Sequence, residues 1–545
     1  MHPGGASVRE RKDRARLGAA WLLTLLAFLA AYASPGRAGA GPAVLPPAGA
    51  PAIPAGEMPP LFAMERSTLP GPVLTRAIEL LEAGRWQEAQ GALQPLLRPG
   101  STDPQEDRAH ALMLAGLAAG MSGDAMRAAA LLDEALSLNR ASVVIRLNLA
   151  RLHLQAGNAA QAARALEDAR SVAPADPRVL GWLGVAWYNV GLAYQRSQDP
   201  SSAREAYRRA LEAEGPHRAA AHNNLGVLAF NEGRVDEAER HFREAVRADP
   251  GEALYHANLG AALRASGKLE QAVLELKQAV AQGPASASLL LEYGFALLAA
   301  RKFDEAASVF QQAVERLPMS ADALFGLATA IMGQGRFQQA RLYLERALQA
   351  SPTYWRAHYA LGAAYQAAGD QEEARKAYEQ AIRHAPAVPE LRAALGELYL
   401  ELGRHQDAEQ QLQAALALGD GRPAIWYAIG RAQLMGGRST EAAASFGRAA
   451  ELAQGDPPAQ ALYLYAQALA VEAGGEVGAA VQLLRQAIEA DAGLFEAHLR
   501  LGELLLARGH AAAAIAPLER AAELRPWDTR ARQALDHAKA AAAGR

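Results

Sequence analysis

Residues 219–250 read AAAHNNLGVLAFNEGRVDEAERHFREAVRADP, and the same pattern recurs in residues 253–284 and 287–318. Each copy places a glycine after a large residue, at Leu225-Gly226, Leu259-Gly260 and Tyr293-Gly294. These glycines are 34 residues apart, and each copy closes on a proline. A repeat of this length predicts two amphipathic helices that cross at small residues, with the proline ending the second helix.

The pattern extends well beyond these three copies. The glycine position continues at the same spacing through Ala328, Gly362, Gly396 and Gly430. It is similar to the tetratricopeptide repeat, whose Trp-x2-Leu-Gly-x2-Tyr signature is nearly complete at Trp187, Val190, Gly191 and Tyr194. The resemblance implies an all-α, right-handed α-solenoid of about thirteen tetratricopeptide helix pairs with a C-terminal capping helix. Stacked copies bury apolar faces that no single copy buries alone.

Composition agrees with a helical array. The chain has 545 residues, of which 51 % are apolar and only 6 % aromatic, so Ala and Leu must build most of the core. That mixture suits closely crossed helices and is poor for β-sandwiches. The formal net charge is −3, which gives nucleic-acid binding no electrostatic support at the scale of the chain. The absence of cysteine excludes disulfides, thiol chemistry and thiolate metal sites.

The first 33 residues have the pattern of an export signal. Five basic side chains within residues 9–16 precede an uncharged apolar run over residues 17–33. The run ends at Ala31-Tyr32-Ala33, which fits the small-x-small cleavage rule, and Ala38-Gly39-Ala40 is a second candidate. The pattern predicts a cleaved signal peptide, with an uncleaved membrane anchor as the alternative. Both readings predict an extracytoplasmic protein, and the Ala/Gly/Arg-rich composition favours a bacterial periplasm or cell envelope.

Three further segments follow. Residues 34–70 hold nine of the 29 prolines and predict an extended linker. Residues 71–526 form the predicted repeat array, and residues 527–545 the predicted capping helix. Between the third and fourth repeats the spacing stretches from 34 residues to 41, from Ala150 to Gly191. The added residues predict a first helix about two turns longer than its neighbours.

One position of the first helices is a candidate binding position. Two residues before the glycine position, four successive repeats carry asparagine, at Asn148, Asn189, Asn224 and Asn258. A carboxamide has two donors and an acceptor, so a row of them predicts hydrogen bonds to the backbone of an extended peptide. The arrangement resembles the repeat superhelix of O-GlcNAc transferase, which implies a peptide-binding role for these four residues. The alternative is that asparagine is common at this position in the family and unused here.

Other known chemistries of such repeats find no match. The resemblance to the transferase stops at the repeats and does not extend to its catalytic region. Some relatives grip an acidic C-terminus with a clamp of lysine, asparagine and arginine side chains. The corresponding positions here include Tyr188, Leu192 and Leu254, which predicts that the clamp is absent.

Metal binding and catalysis are also not predicted. His222, His256, His358 and His498 all lie four residues before the glycine position, which indicates a recurrent packing role and no metal or cofactor site. The sequence lacks a Gly-Lys-Ser/Thr phosphate loop, a His-Glu-x-x-His motif and a Gly-x-Ser-x-Gly motif. We therefore expect a protein that is not an enzyme.

The predicted function is a protein–protein interaction scaffold of the cell envelope that binds an extended peptide in the concave groove of its repeats. Two alternatives remain open. The first is a structural spacer or assembly platform for envelope machinery, such as polysaccharide or pilus secretion, which binds folded subunits. The second is an accessory subunit that activates a separately encoded enzyme. The expected partner is a protein or peptide and not nucleic acid, with membrane attachment through residues 17–33 in the anchor reading.

Overall fold

The computed structural model describes residues 71–98, 103–213 and 215–544. The predicted signal or anchor and the linker, residues 1–70, lie outside the described residues. Within the described ranges the chain forms 27 α-helices and no β-strand. None of these helices is both long enough and apolar enough to span a membrane.

The helices follow one another with short turns between them. They are α1 Pro72–Glu82, α2 Trp86–Leu97, α3 Gln105–Met121, α4 Ala125–Leu138, α5 Val143–Gln155, α6 Ala159–Val172, α7 Pro177–Arg196, α8 Pro200–Glu212, α9 Arg218–Asn231, α10 Val235–Ala248, α11 Ala253–Ala265, α12 Leu269–Ala281, α13 Ala287–Ala299 and α14 Phe303–Arg316. They continue with α15 Ala321–Gly333, α16 Phe337–Ala350, α17 Trp355–Ala368, α18 Gln371–His384, α19 Pro389–Glu401, α20 His405–Ala417, α21 Pro423–Met435, α22 Ser439–Leu452, α23 Pro457–Ala473, α24 Val477–Ala490, α25 Phe495–Ala507, α26 Ala511–Leu524 and α27 Thr529–Ala542.

The first 26 helices form thirteen tandem pairs, and α27 stands after them, so the predicted all-α solenoid with a terminal helix is confirmed. Contacts divide the described chain into two units, one ending at Glu305 and the other beginning at Ala306. The boundary lies within α14. In each unit the helices that are paired in sequence pack against each other and against the next pair.

Within a pair, the two helices cross at the predicted glycine position. A Cβ atom added to Gly226 of α9 would lie 2.6 Å from the ring of Phe242 in α10, and one added to Gly260 would lie 2.5 Å from Leu276. In the second unit, Gly362 contacts the ring of Tyr378 in the same way. Each large side chain is fully buried against the backbone of the glycine. The absence of a side chain on one helix therefore makes room for the core residue of the other.

Most first helices end at a glycine in the left-handed conformation. Gly233 and Gly267, which follow α9 and α11, have φ angles of 77° and 75°. In the fourth and seventh pairs the same turn is made by Gln198 and Arg301, with φ angles of 60° and 59°. Residues with a Cβ pay a steric penalty in this region, so these two turns are the strained ones.

Helix α7, the first helix of the fourth pair, confirms the predicted insertion. It has 20 residues, whereas α5 and α11 each have 13. The added N-terminal turns bury Val179 and Leu183. Gly184 lies so close to Gly215 that an added Cβ would be 2.8 Å from its Cα. The extra turns are thus integrated into the core by a contact between two backbones.

The terminal helix α27 packs on α26 and buries one side only. Ala531 and Ala538 are its buried residues, and the rest of the helix is mostly polar. Asp528 caps its N-terminus by accepting a hydrogen bond from the backbone N–H of Arg530. One apolar side and one polar side are what the end of a stacked array requires.

Candidate functional site

The four asparagines singled out by sequence lie on successive first helices, on α5, α7, α9 and α11. In a solenoid of helix pairs the first helices share one side, which is the usual binding surface of such arrays. We call the surface formed by these four helices the first-helix face. All four helices belong to the unit that ends at Glu305.

Two of the asparagines take part in a buried hydrogen-bond relay. Asn258 Nδ2 donates to Asn223 Oδ1 at 2.8 Å, and Asn223 Nδ2 is 3.4 Å from Asn224 Oδ1. Asn224 Nδ2 in turn lies 3.4 Å from the hydroxyl oxygen of Tyr188. The three asparagines are at most 1 % exposed. The relay links α11 to α9 and α9 to α7, so these carboxamides hold neighbouring first helices together.

Tyr188 covers one end of this relay. Its ring stacks on His217 with centroids 4.8 Å apart and tilts against Tyr207 at 5.7 Å. Burial raises the pKa of the Tyr188 hydroxyl, although its hydrogen bond with Asn224 acts in the opposite direction. The hydroxyl therefore stays protonated, and it can donate as well as accept.

The other two asparagines stand outside the relay. Asn148 is 1 % exposed, and its Nδ2 has only the Sδ atom of Met113 on α3, at 3.6 Å. Its Oδ1 is buried and has no hydrogen-bond partner among the described residues. Asn189 is half-buried and donates back to the carbonyl of Val185 in its own helix, at 2.9 Å.

The predicted ladder is therefore not one continuous accessible row. Three of the four carboxamides are covered by neighbouring first helices, and only Asn189 is open to a ligand as it stands. Direct peptide contact by Asn148, Asn224 and Asn258 stays a prediction, and it requires the covering side chains to move.

After Asn258 the position is taken by a charged residue. Glu292 of α13 forms an ion pair with Arg264 of α11, with 2.9 Å between Oε2 and Nη2. The two side chains are only 5 % and 7 % exposed. Removing two charges from water is costly, and their mutual attraction offsets that cost. The pair fills the place that the next asparagine would occupy.

The charge on the first-helix face is of one sign. Helices α5, α7, α9 and α11 contain no Asp or Glu, whereas each of their second helices contains at least two. The four helices carry six arginines, namely Arg146, Arg151, Arg178, Arg196, Arg218 and Arg264. Arg178 pairs with the N-cap Asp176 and Arg264 with Glu292. The other four form no ion pair with any described residue.

Arg151 is the most enclosed of these four. Its side chain is half-buried, and its Nη1 is shielded from water without a hydrogen-bond partner in the described part of the chain. Burial lowers the pKa of its guanidinium. The group remains charged at any physiological pH, because an arginine side chain is not deprotonated in proteins. It lies one turn after Asn148 on α5.

The recurrent histidines have a shared structural role. His256, His358 and His498 each bond through Nε2 to the carbonyl six residues earlier, which ties the first turn of the helix to the preceding loop. Arg146 reaches the carbonyl of Arg140 over the same separation. The predicted packing role is thus explained by one hydrogen bond that several repeats share.

His222 is different from the other three. Its Nδ1 lies 3.2 Å from Nδ1 of His241 on α10. Burial lowers the pKa of His222 to about 4, and the neighbouring His241 lowers it further. Over the described ranges no group of three or more His, Asp or Glu side chains is arranged to hold a metal ion.

A cavity of about 310 Å³ lies between the pairs formed by α11 to α13. It is lined by Ala253, Leu254, Ala279, Gly283, Pro284, Ala285, Ser286 and Leu289. No charged side chain faces it, so it offers little to fix a polar ligand. The first-helix face is the better candidate.

Sequence reasoning missed two residues of this face. Asn223 precedes Asn224 directly, and two consecutive asparagines inside a helix were the available signal, because asparagine is a mediocre helix former. Arg151 gave a weaker signal, as an arginine between apolar residues of a helix without carboxylates. Its lack of a partner depends on which helices surround it.

Comparison with known proteins identifies the repeat. Two family models, both described as tetratricopeptide repeat, match the chain. The first matches residues 74–142, 188–253, 296–354 and 465–528, and the second matches residues 121–183, 331–398, 367–428 and 399–468. No curated protein is significantly similar to the chain in sequence.

Several solved structures share the fold. The APC/C hetero-tetramer Cut9–Hcn1 is 16 % identical over 85 % of this chain and 95 % of that one, with a TM-score of 0.38. A tetratricopeptide repeat protein from Parabacteroides merdae is 17 % identical over 46 % of this chain and 98 % of that one, with a TM-score of 0.41. The human IFIT1 dimer with m7Gppp-AAAA is 19 % identical over 72 % and 91 %, with a TM-score of 0.39. Similarity at this level carries no argument about ligands.

Proposed function

Because the chain belongs to the tetratricopeptide repeat family, we propose that it is a non-enzymatic scaffold that holds an extended peptide segment of a partner protein. The segment lies along the first-helix face. The proposal is supported most by the polar groups that this face leaves without protein partners. Asn189 is half-open, and Arg151 and Arg196 have no ionic partner among the described residues.

A pre-ordered helical face suits this task. The first helices are held in place by the buried relay of Asn258, Asn223, Asn224 and Tyr188, so the face needs little ordering when a ligand binds. An extended peptide exposes one N–H and one C=O per residue, and it can satisfy open donors and acceptors whatever its side chains. Asn189 is the direct contact in this proposal, and the relay asparagines position the helices.

The location is a separate part of the proposal. We propose that the scaffold is extracytoplasmic, in the bacterial periplasm or cell envelope, on the support of residues 1–33 alone. Mass spectrometry of the mature N-terminus tests this. A chain that starts at Ser34 or Gly41 supports a signal peptide, and an intact N-terminus in the membrane fraction supports the anchor. An intact N-terminus in the cytoplasmic fraction contradicts both.

Selection from a phage library of random twelve-residue peptides, with the full-length chain as bait, tests the binding function. The enriched peptides are then measured against Asn189→Trp, which fills the first-helix face, and Asn189→Ala, which perturbs the fold less. The matched control is Arg164→Trp, on the exposed side of the second helix α6.

We expect the enriched peptides to bind the Asn189→Trp variant at least about tenfold more weakly and the Arg164→Trp control with unchanged affinity. A library that yields no enriched peptide argues against an extended ligand. Equal binding to all variants moves the binding surface elsewhere, as the platform for folded subunits requires.

A further inference from the structure

Arg151 is a cation that lacks an anion. Its Nη1 is shielded from water, and the described part of the chain supplies neither a hydrogen-bond acceptor for that atom nor a carboxylate for the side chain. A partly buried charge without a partner destabilises a protein, since it has lost water and gained nothing in exchange. Such a group is rarely maintained for stability alone. A ligand that carries negative charge would relieve it.

A second unpartnered group lies beside it. Asn148 precedes Arg151 by three residues on α5, a spacing that places side chains on the same side of a helix, with about 5–6 Å between Cβ atoms. The Oδ1 of Asn148 is buried and accepts no hydrogen bond from any described residue. The site thus combines an open acceptor with an open cationic donor.

The surroundings do not neutralise the site. None of the helices α5, α7, α9 and α11 contains a carboxylate, and the first carboxylate at the asparagine position, Glu292, is already paired with Arg264. Arg196 of α7 adds a further unpaired positive charge at the surface. The first-helix face therefore complements a negatively charged ligand, even though the chain as a whole has a net charge of −3.

We propose that Arg151 binds the carboxylate of an Asp or Glu side chain in an extended acidic segment of the partner, while Asn148 accepts a backbone N–H of the same segment. This inference rests on the proposed peptide-binding function and specifies the class of peptide. A planar carboxylate matches the guanidinium fork, and the adjacent peptide N–H matches the open acceptor. A nucleic-acid backbone fits less well, because a phosphodiester has no donor for Asn148.

The probe for this inference is a fluorescein-labelled, C-terminally amidated peptide of twelve residues in which Glu and Ala alternate. Its counterpart has Gln in place of every Glu. Binding to the full-length chain is measured by fluorescence anisotropy at low salt. We expect the Glu peptide to bind at least about tenfold more tightly than the Gln peptide, and to weaken as salt rises.

Arg151→Gln should remove that preference, whereas Arg164→Gln on α6 makes the same charge change on an exposed second helix and should keep it. Arg151→Lys should retain part of the preference, because it keeps the charge and loses the fork. The free Arg151→Gln protein should melt at the same or a higher temperature than the wild type. A merely structural arginine would give a lower melting temperature.

Three outcomes overturn the inference. The first is equal affinity for the Glu and Gln peptides, or a Glu preference that survives Arg151→Gln. The second is a Glu preference that appears only when the C-terminus is a free carboxylate, which assigns the charge to the chain end. The third is displacement of the Glu peptide by an equal concentration of twelve-nucleotide oligoadenylate, which assigns the face to nucleic acid.

The library selection separates this inference from the function on which it rests. Enriched peptides that are neutral and indifferent to Arg151→Gln overturn the acidic ligand and leave peptide binding intact. A selection that enriches nothing, with no binding of the Glu peptide, overturns both.

Discussion

The Nδ2 of Asn258 donates a 2.8 Å hydrogen bond to the Oδ1 of Asn223, and neither side chain is accessible to water. The bond joins α11 to α9, and it continues through Asn224 to Tyr188 on α7. Side chains that looked in sequence like a row of ligand contacts thus form, in large part, the connection between repeats.

This connection predicts a specific stability effect. Asn258→Ala leaves Asn223 Oδ1 buried without that donor and should lower the free energy of unfolding by about 1–3 kcal/mol. Substituting Asn223 and Asn258 together by Leu should cost less than the sum of the single changes, because no polar atom of the pair is left unpaired. Urea unfolding followed by circular dichroism measures both effects, and strictly additive losses would contradict the relay.

The buried ion pair between Arg264 and Glu292 should be sensitive to removal of one partner. Glu292→Gln leaves a buried guanidinium without its counter-charge and should cost about 3–5 kcal/mol. Replacing both residues, with Arg264→Met and Glu292→Leu, should recover most of that loss. The control is the exposed pair of Arg76 and Glu79, where Arg76→Gln should change stability by less than about 1 kcal/mol. Equal losses at the two pairs would show that burial does not decide the effect.

The strained turn at Gln198 offers a stabilising substitution. Its φ angle of 60° is the one that glycine makes at Gly233 in the next repeat. Gln198→Gly should raise the free energy of unfolding by about 0.5–1 kcal/mol, as the relief of the steric penalty exceeds the added freedom of the unfolded chain. Gly233→Ala is the reverse change and should lower stability. A destabilised Gln198→Gly protein in urea unfolding would contradict this account of the turn.

The paired histidines His222 and His241 predict a dependence of stability on pH. Burial, together with the adjacent His241, lowers the pKa of His222 from 6.5 to about 4, although Glu244 opposes the shift. The unfolded chain therefore binds a proton between pH 6.5 and 4 that the folded chain does not. The His222 contribution to stability is complete above pH 6.5 and is lost as the pH falls towards 4.

We expect a contribution of about 1–2 kcal/mol, after allowance for the partial exposure of the pair. Comparing urea unfolding at pH 7.5 and pH 5 measures it. A variant with His222→Gln and His241→Gln should show a smaller difference between the two pH values than the wild type. An unchanged difference would mean that other groups cause the pH dependence.

Sequence predicted the helices well, because each crossing needs a small residue opposite a large one at a fixed spacing. Gly226 opposite Phe242 and the two added turns of α7 follow directly from that arithmetic. The candidate site was predicted only in part. The asparagines do lie on successive first helices, as the repeat length requires.

What sequence did not reveal is which side chains would be accessible. That depends on the bulk of the residues beside each asparagine, and here Met113 and Tyr188 lie against two of them. The same limit applies to Arg151, since a missing partner is a property of all the helices around it. Spacing along one helix contains no information about the width of the gap to the next helix.

The most direct test of the central claim is site-specific photocrosslinking in the cells that make the protein. A photoreactive benzoylphenylalanine is placed at position 189, on the first-helix face, or at position 164, on the opposite side of the array. The account predicts that position 189 crosslinks to a partner through an acidic, extended segment of it, and that position 164 does not. Crosslinks from position 164 alone, or from position 189 only to a folded surface of a partner, would contradict it.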